Sequence, residues 1–261
     1  MFFESLWKSF AALPQVEAIA LGGSRAGEFF DEKSDYDLYI YCTSIPDESL
    51  RRPILEANCQ YMEVGNHFWE LEDDCTFKDG VDIDILYRNL EYFGNDVSAV
   101  VEQHYAHNGY TTCMWHNLLH SKILYDPQGK LAALQRRFDI PYPHALRTNI
   151  ISQNMRLLTE NLPSYDMQIK KAMGRGDLVS VNHRTAAYLE SYFDVLFAYN
   201  RLTHPGEKRM VSYALTHAKA LPAHFEEDLA ALFGNLFTDA DAALTALHSL
   251  TEHMQALVAQ E

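Results

Sequence analysis

The chain is poor in everything that would tie it to a membrane, an oxidising compartment or a polyanion. Its 261 residues include only four cysteines, Cys42, Cys59, Cys75 and Cys113, with no C-x-x-C pair. Neither a zinc site nor a disulfide framework is signalled, and free thiols in a reducing compartment are expected. No apolar run reaches membrane-spanning length, and the N-terminus carries Glu4 and Lys8 where a signal peptide needs an uninterrupted apolar stretch. A cytoplasmic protein without a membrane partner is expected. Basic residues are scarce, 21 against 36 acidic for a formal charge of −15, which repels a polyanion and makes nucleic acid an unfavourable partner. The same charge would attract a cationic small molecule, although acidity more commonly serves solubility. Repeats and low-complexity tracts are absent, and 48% hydrophobic residues with 9 prolines and 12 glycines describe an ordinary folded chain.

What is present divides into two halves. Phe2, Phe3, Leu6, Phe10 and Leu13 stand at helical spacing before Pro14. Val16 to Leu21 reads as a buried strand closed by Gly22-Gly23-Ser24. Asp35 to Tyr41 alternates with the two-residue period of a strand, so Asp35, Asp37 and Tyr39 share one face. A strand is expected over His67–Leu71, and another over Val81–Leu86 after the turn signal Lys78-Asp79-Gly80, with Asp82 and Asp84 pointing together. The segment Lys122 to Pro127 closes this half, which is placed at residues 1–138. Pro141-Tyr142-Pro143 suits a stiff connection to residues 139–261, expected to be helical throughout, with helices near 144–161, 178–202, 207–219, 223–234 and 239–259. The fold class is therefore α/β (α+β), a mixed sheet flanked by helices and followed by an all-α helical bundle.

Gly23-Ser24, ten residues, then Asp35-x-Asp37, then a later strand bearing Asp84 is an arrangement with a direct chemical use. A glycine bend lets backbone N–H groups approach phosphate oxygens, and Ser24 adds a hydroxyl. Paired carboxylates on one strand face offer the hard oxygen ligands that magnesium takes, phosphate and water supplying the rest. A third carboxylate nearby completes a two-metal site or acts as a base. Taken alone, the glycines would be an ordinary turn and the aspartates solvent-facing edge residues; their combination favours the metal.

These residues resemble the signature of the DNA polymerase beta-like nucleotidyltransferase superfamily, G-S, a spacer near ten, then D-x-D and a third acidic strand residue. The resemblance covers residues 16–127. The two-part layout also looks like the antibiotic nucleotidyltransferases that act on aminoglycosides and lincosamides. The stretch Asn182-His183-Arg184…Phe193-Asp194…Asn200-Arg201…His204-Pro205-Gly206-Glu207-Lys208-Arg209 is similar to an uncharacterised bacterial family of the same architecture. The resemblance implies metal ligands at Asp35 and Asp37 and a third carboxylate at Asp84, with Asp82 as the competing choice. It implies Mg2+ as cofactor and ATP or another NTP as co-substrate. The reaction implied moves a nucleoside monophosphate, AMP from ATP, onto a hydroxyl or phosphate of a small-molecule acceptor with release of pyrophosphate. The alternatives are a non-catalytic nucleotide-binding or regulatory protein of the same fold, or an enzyme modifying another protein; intact acidic residues argue against the first.

Other residues are weighed against plainer roles. Lys208, with Arg209, is a candidate for the β- and γ-phosphates or a solvated helix start. Glu190 or Asp194 is a candidate base for the acceptor hydroxyl, with an exposed acidic face the preferred reading. His116 and His120 lack the glutamate that a zinc protease helix requires. Phe29, Phe30, Tyr36 and Tyr39 could stack on a base, though wall or core packing is commoner. The acceptor, the preferred NTP and the oligomeric state, a homodimer included, are left open.

Overall fold

The computed structural model describes residues 2–26, 34–67 and 70–260. The chain divides into two compact units, Met1–Ser98 with Asn117–Ile140, and Ala99–His116 with Pro141–Glu261. Residues 99–116 thus group with the helical part, whereas a single cut after Phe138 would leave them with the sheet.

In the first unit, α1 (Phe2–Ala11) buries Leu6 and Phe10 at four-residue spacing. Six strands among the described residues form one mixed sheet in the order β3-β4-β5-β2-β1-β6. They are β1 (Val16–Gly22), β2 (Tyr36–Cys42), β3 (Cys59–Asn66), β4 (Glu72–Phe77), β5 (Asp82–Asn89) and β6 (Lys122–Tyr125). The β2–β5 pair is parallel and its neighbours are antiparallel. A parallel pair needs a crossover, supplied by α3 (Glu48–Asn58) and the β3–β4 pair. Of the strand expected over His67–Leu71, Phe68 and Trp69 lie outside the described residues, and His67, Glu70 and Leu71 belong to no strand. The antiparallel β3–β4 register runs from Cys59↔Phe77 to Asn66↔Glu72.

One face of the sheet carries the core: Ile19, Leu38, Ile40, Ile83, Ile85 and Tyr87 pack with Leu6, Phe10 and Leu55. Each such aliphatic side chain contributes about 1.5–3 kcal/mol by leaving water. α3 is also pinned by a buried ion pair between Arg51 and Asp73, and Asp73 accepts from the Tyr87 hydroxyl at 2.7 Å and the Gly65 N–H at 2.8 Å. Because side chains alternate along a strand, filling this face sends the intervening residues to the other. There stand Ala18, Ala20 and Gly22 on β1, Asp37, Tyr39 and Tyr41 on β2, and Asp84, Leu86 and Arg88 on β5.

The second unit is built from α7 (His144–Met155), a π-helical turn (Arg156–Glu160), α8 (Tyr165–Gly174), α9 (Leu178–Tyr199), α10 (Met210–His217), α11 (Phe225–Asn235) and α12 (Ala240–Val258). Helix α9 is its axis: Tyr188, Tyr192, Val195 and Leu196 are buried with Leu229, Leu232, Leu247 and Leu250. Asp177 caps α9, accepting from the Ser180 N–H at 3.1 Å. Residues 99–116 are fastened here by polar contacts: Asn149 donates to the His104 carbonyl and Asn154 to that of His107, both at 2.9 Å. Among the described residues no helix is long and apolar enough to cross a membrane.

Candidate functional site

The site begins where β1 ends. Gly22 is buried, and a Cβ there would run into the ring of Tyr39. Gly23 has φ +58°, and a Cβ on it would fall on the Asp37 carboxylate. Glycine is therefore required twice, once for room under the bend and once for both its backbone conformation and the approach of a carboxylate. A single helical turn, α2 (Gly23–Ala26), follows and contains Ser24. Arg25, in the same turn, donates from Nε to the carbonyls of Ser34 at 2.6 Å and Asp35 at 3.1 Å. Its guanidinium lies 3.9 Å from the centre of the Tyr36 ring. That clasp holds the bend against the start of β2.

Register then sets the chemistry. Gly22 pairs with Asp37 on β2, Asp37 with Asp84 on β5, Asp84 with Asp74 on β4, and Asp74 with Glu63 on β3. Paired residues share a face, so one row crosses the sheet from the glycine bend through four acidic side chains. Asp35 precedes β2 by one residue and Asp37 by two. The Asp84 carboxyl is pushed up to about 6, first by burial and then by the charges of Asp37, Asp74, Asp35 and Glu72. Asp74 accepts from Asn66 Nδ2 at 2.6 Å.

Of the two candidates for a third carboxylate, Asp84 is half-buried opposite Asp37. Asp82 is exposed and accepts from the Thr76 hydroxyl at 2.7 Å. Among the described residues, no group of three or more His, Cys, Asp or Glu side chains is placed so as to hold a metal ion by itself. The oxygen-only donors and the cradle at Gly23 instead fit an open magnesium site, in which phosphate and water complete the shell.

The other sequence candidates fall elsewhere. Lys208 is exposed in the turn before α10, in the helical unit; it is not among the residues that the sheet brings together. Asp194 is not on an exposed acidic face. It is 2% exposed and accepts from the Thr111 N–H at 3.0 Å, the Thr111 hydroxyl at 2.6 Å and Asn154 Nδ2 at 3.3 Å. The apolar neighbours of α9 force it inward, and burial pushes its carboxyl up to about 7. Glu190 is half-buried beside Gly109, where a Cβ would meet the glutamate's Cβ and backbone. His116 pairs with the Thr203 hydroxyl at 2.7 Å. Tyr36 packs against Phe3 and Phe77, and Tyr39 is buried as wall. Phe29 and Phe30 lie outside the described residues.

Sequence reasoning missed Asp74, which sits in the acidic run Glu70-Leu71-Glu72-Asp73-Asp74. The alternation of Cys75 and Phe77 with Asp74 and Thr76 was the available signal. It also missed the polar bracket behind Tyr39. Asn117 Nδ2 donates to the Tyr39 hydroxyl at 2.7 Å, and Arg88 Nη1 donates to Asn117 Oδ1 at 3.0 Å. Burial pushes the Tyr39 phenol up to about 12, Asp37 adding to the shift and Arg88 opposing it.

Residues 111–210 match the model of a domain of unknown function (DUF4037). No curated protein matches the chain in sequence. Among solved structures, it is similar to a nucleotidyltransferase-like protein from Exiguobacterium sibiricum 255-15 at 11% identity, over 98% of this chain and 73% of that one, with a TM-score of 0.43. It is also similar to an aminoglycoside 6-adenyltransferase from Bacillus subtilis at 11% identity, over 98% of this chain and 90% of that one, with a TM-score of 0.30. At these scores the likeness carries no weight, and the chemistry has to come from the acidic row itself.

Proposed function

We propose that the protein is a magnesium-dependent nucleotidyltransferase acting on a small molecule. The observation that carries this reading is the direct pairing of Asp37 with Asp84 on adjacent parallel strands, with the Asp37 carboxylate lying against Gly23. Like-charged carboxylates so placed repel one another, and a divalent cation relieves that repulsion. Asp35 and Asp37 are its ligands and Asp84 the third carboxylate. The cation, when bound, supplies charge neutralisation at the phosphoryl group and lowers the pKa of an attacking hydroxyl.

The rest of the chemistry belongs to the chain. Backbone N–H groups of the Gly23 bend and the Ser24 hydroxyl orient the triphosphate. An acceptor oxygen then forms a bond to the α-phosphorus while the bond to pyrophosphate breaks, pyrophosphate keeping the bonding electrons; a hydroxyl acceptor passes its proton to water, and a phosphate acceptor attacks as the anion. ATP is the proposed donor, AMP the group moved, and a hydroxyl or phosphate of a small acceptor the destination. The test is a mass-shift screen of candidate acceptors with the protein, Mg2+ and mixed NTPs. A gain of one nucleotide unit, abolished by EDTA, is expected. Transfer undiminished by EDTA would exclude the metal role, and nucleotide binding without pyrophosphate release across the panel would favour a non-catalytic scaffold.

A further inference from the structure

We infer that Asn117 is a positioning residue which, with Arg88 and Glu70 behind it, sets the Gly22–Gly23 bend through the ring of Tyr39. The inference rests on the nucleotide reading of that bend. The ring of Tyr39 occupies the space where any side chain on Gly22 would stand, so its position fixes the floor under the bend. It is held on two sides. Asn117 donates to its hydroxyl at 2.7 Å, and the guanidinium of Arg88 lies over the ring, 4.4 Å from its centre.

These two holders are themselves joined, because Arg88 donates to Asn117 at 3.0 Å. Arg88 is anchored by Glu70, which accepts from Nε at 2.8 Å and from Nη2 at 2.6 Å. A buried guanidinium is tolerated when charge-assisted acceptors satisfy it, and the two-pronged grip allows little sliding. The chain of contacts therefore runs from Glu70 through Arg88 and Asn117 to Tyr39 and ends against Gly22. Ala18 and Ala20 on β1 pair with Tyr41 and Tyr39, and their small side chains leave room for both rings. Two successive glycines are the most pliable part of any backbone. A rigid ring beneath them holds the bend in its bound form before the nucleotide arrives, which lowers the ordering cost of binding.

The test compares the wild-type protein with Asn117→Ala, Tyr39→Phe and Asn117→Asp. The aspartate variant still accepts from Arg88 and takes a hydrogen bond from the Tyr39 hydroxyl, so it is the conservative rescue. Amide hydrogen exchange without ligand is expected to rise about tenfold at residues 22–26 in the alanine and phenylalanine variants, the size of effect that loss of one buried hydrogen bond has on local opening. Exchange in the other strands should stay unchanged, and Asn117→Asp should stay near wild type. By titration calorimetry, MgATP should bind about tenfold more weakly to Asn117→Ala and within about threefold of wild type to Asn117→Asp. Unchanged exchange at the bend, or a rise spread evenly over the sheet, would overturn the positioning role. Equal MgATP affinity in wild type and Asn117→Ala would overturn its service to the nucleotide. A wild type that binds no MgATP would instead sink the nucleotide reading, and the exchange data would still decide the bracket.

Discussion

Two carboxyls, one in each unit, are pushed up in the same direction for different reasons. Asp84 stands in a row of acids, and after burial its causes are the charges of Asp37, Asp74, Asp35 and Glu72. Asp194 is desolvated, and the groups around it, both donors of Thr111, pull the other way. One carboxyl is surrounded by like charges, the other by donors that satisfy it. A raised carboxyl by itself therefore does not mark a reactive site; the identity of the neighbours does. Asp194 fastens residues 99–116 to α9, whereas Asp84 belongs to a row of like charges.

The comparison breaks most sharply under substitution. Asp84→Asn is expected to lower nucleotidyl transfer by about a hundredfold or more without lowering the midpoint of thermal unfolding, which should rise at pH above 6, because it removes a repelled charge and not a support of the fold. Asp82→Asn, beside it on the same strand, should stay within about threefold. Steady-state pyrophosphate release measures both, and equal losses would make Asp82 a partner of Asp84. Asp194→Ala should do the reverse. It leaves the Thr111 and Asn154 donors buried without an acceptor, so urea unfolding should show a loss of about 2–4 kcal/mol. A loss below about 0.5 kcal/mol, the range of a surface change, would remove it from the frame of the helical unit.

The smallest effect is on stability against pH. The folded protein holds the Asp194 proton up to about 7 against an ordinary value of 3.8, so the favourable contribution is present below pH 3.8 and is lost as pH rises through 7. Asp84 acts in the same direction through about 6. His204 opposes both: it is fully buried, and burial holds its imidazole down to about 3 from 6.5. Its contribution is present above pH 6.5 and is lost as pH falls toward 3. Two carboxyls outweigh one imidazole between pH 3.8 and 6, so these three groups together place the highest unfolding midpoint of the wild type at about pH 4, with a fall toward 7. At pH above 6, added Mg2+ should raise that midpoint in the wild type and raise the Asp84→Asn midpoint by less, since that variant keeps Asp35 and Asp37 but loses the third carboxylate. An equal rise in both proteins would place the cation elsewhere.

Much of the acidic row was legible because two kinds of local signal coincide in it. Asp35-Tyr36-Asp37 and Asp82-Ile83-Asp84 alternate with the strand period, and the double glycine marks a bend that other residues cannot make. What was illegible depends on long-range pairing. Helix α3 contains Pro53, which reads as a break, and β3 carries exposed Tyr61 and Glu63 without an apolar alternation. With those elements hidden, Asp74 had no strand and no place beside Asp84. The bracket behind Tyr39 is joined from positions 39, 70, 88 and 117, which no local periodicity connects. Asp194 was misplaced for a related reason. On a helix buried around most of its circumference, the polar stripe is no guide to solvent, and its partners Thr111 and Asn154 come from distant sequence.

The central claim is that Asp35 and Asp37 share a divalent cation with a triphosphate at the Gly23 bend. Titration of Mn2+ in the presence of ATP, followed by electron paramagnetic resonance on the wild type and on Asp35→Asn/Asp37→Asn, tests it directly. The expected result is saturable protein-dependent binding of the Mn2+–nucleotide complex in the wild type, weakened about a hundredfold or more in the double variant, as for loss of charged ligands. Undiminished binding of the complex by the double variant would contradict it.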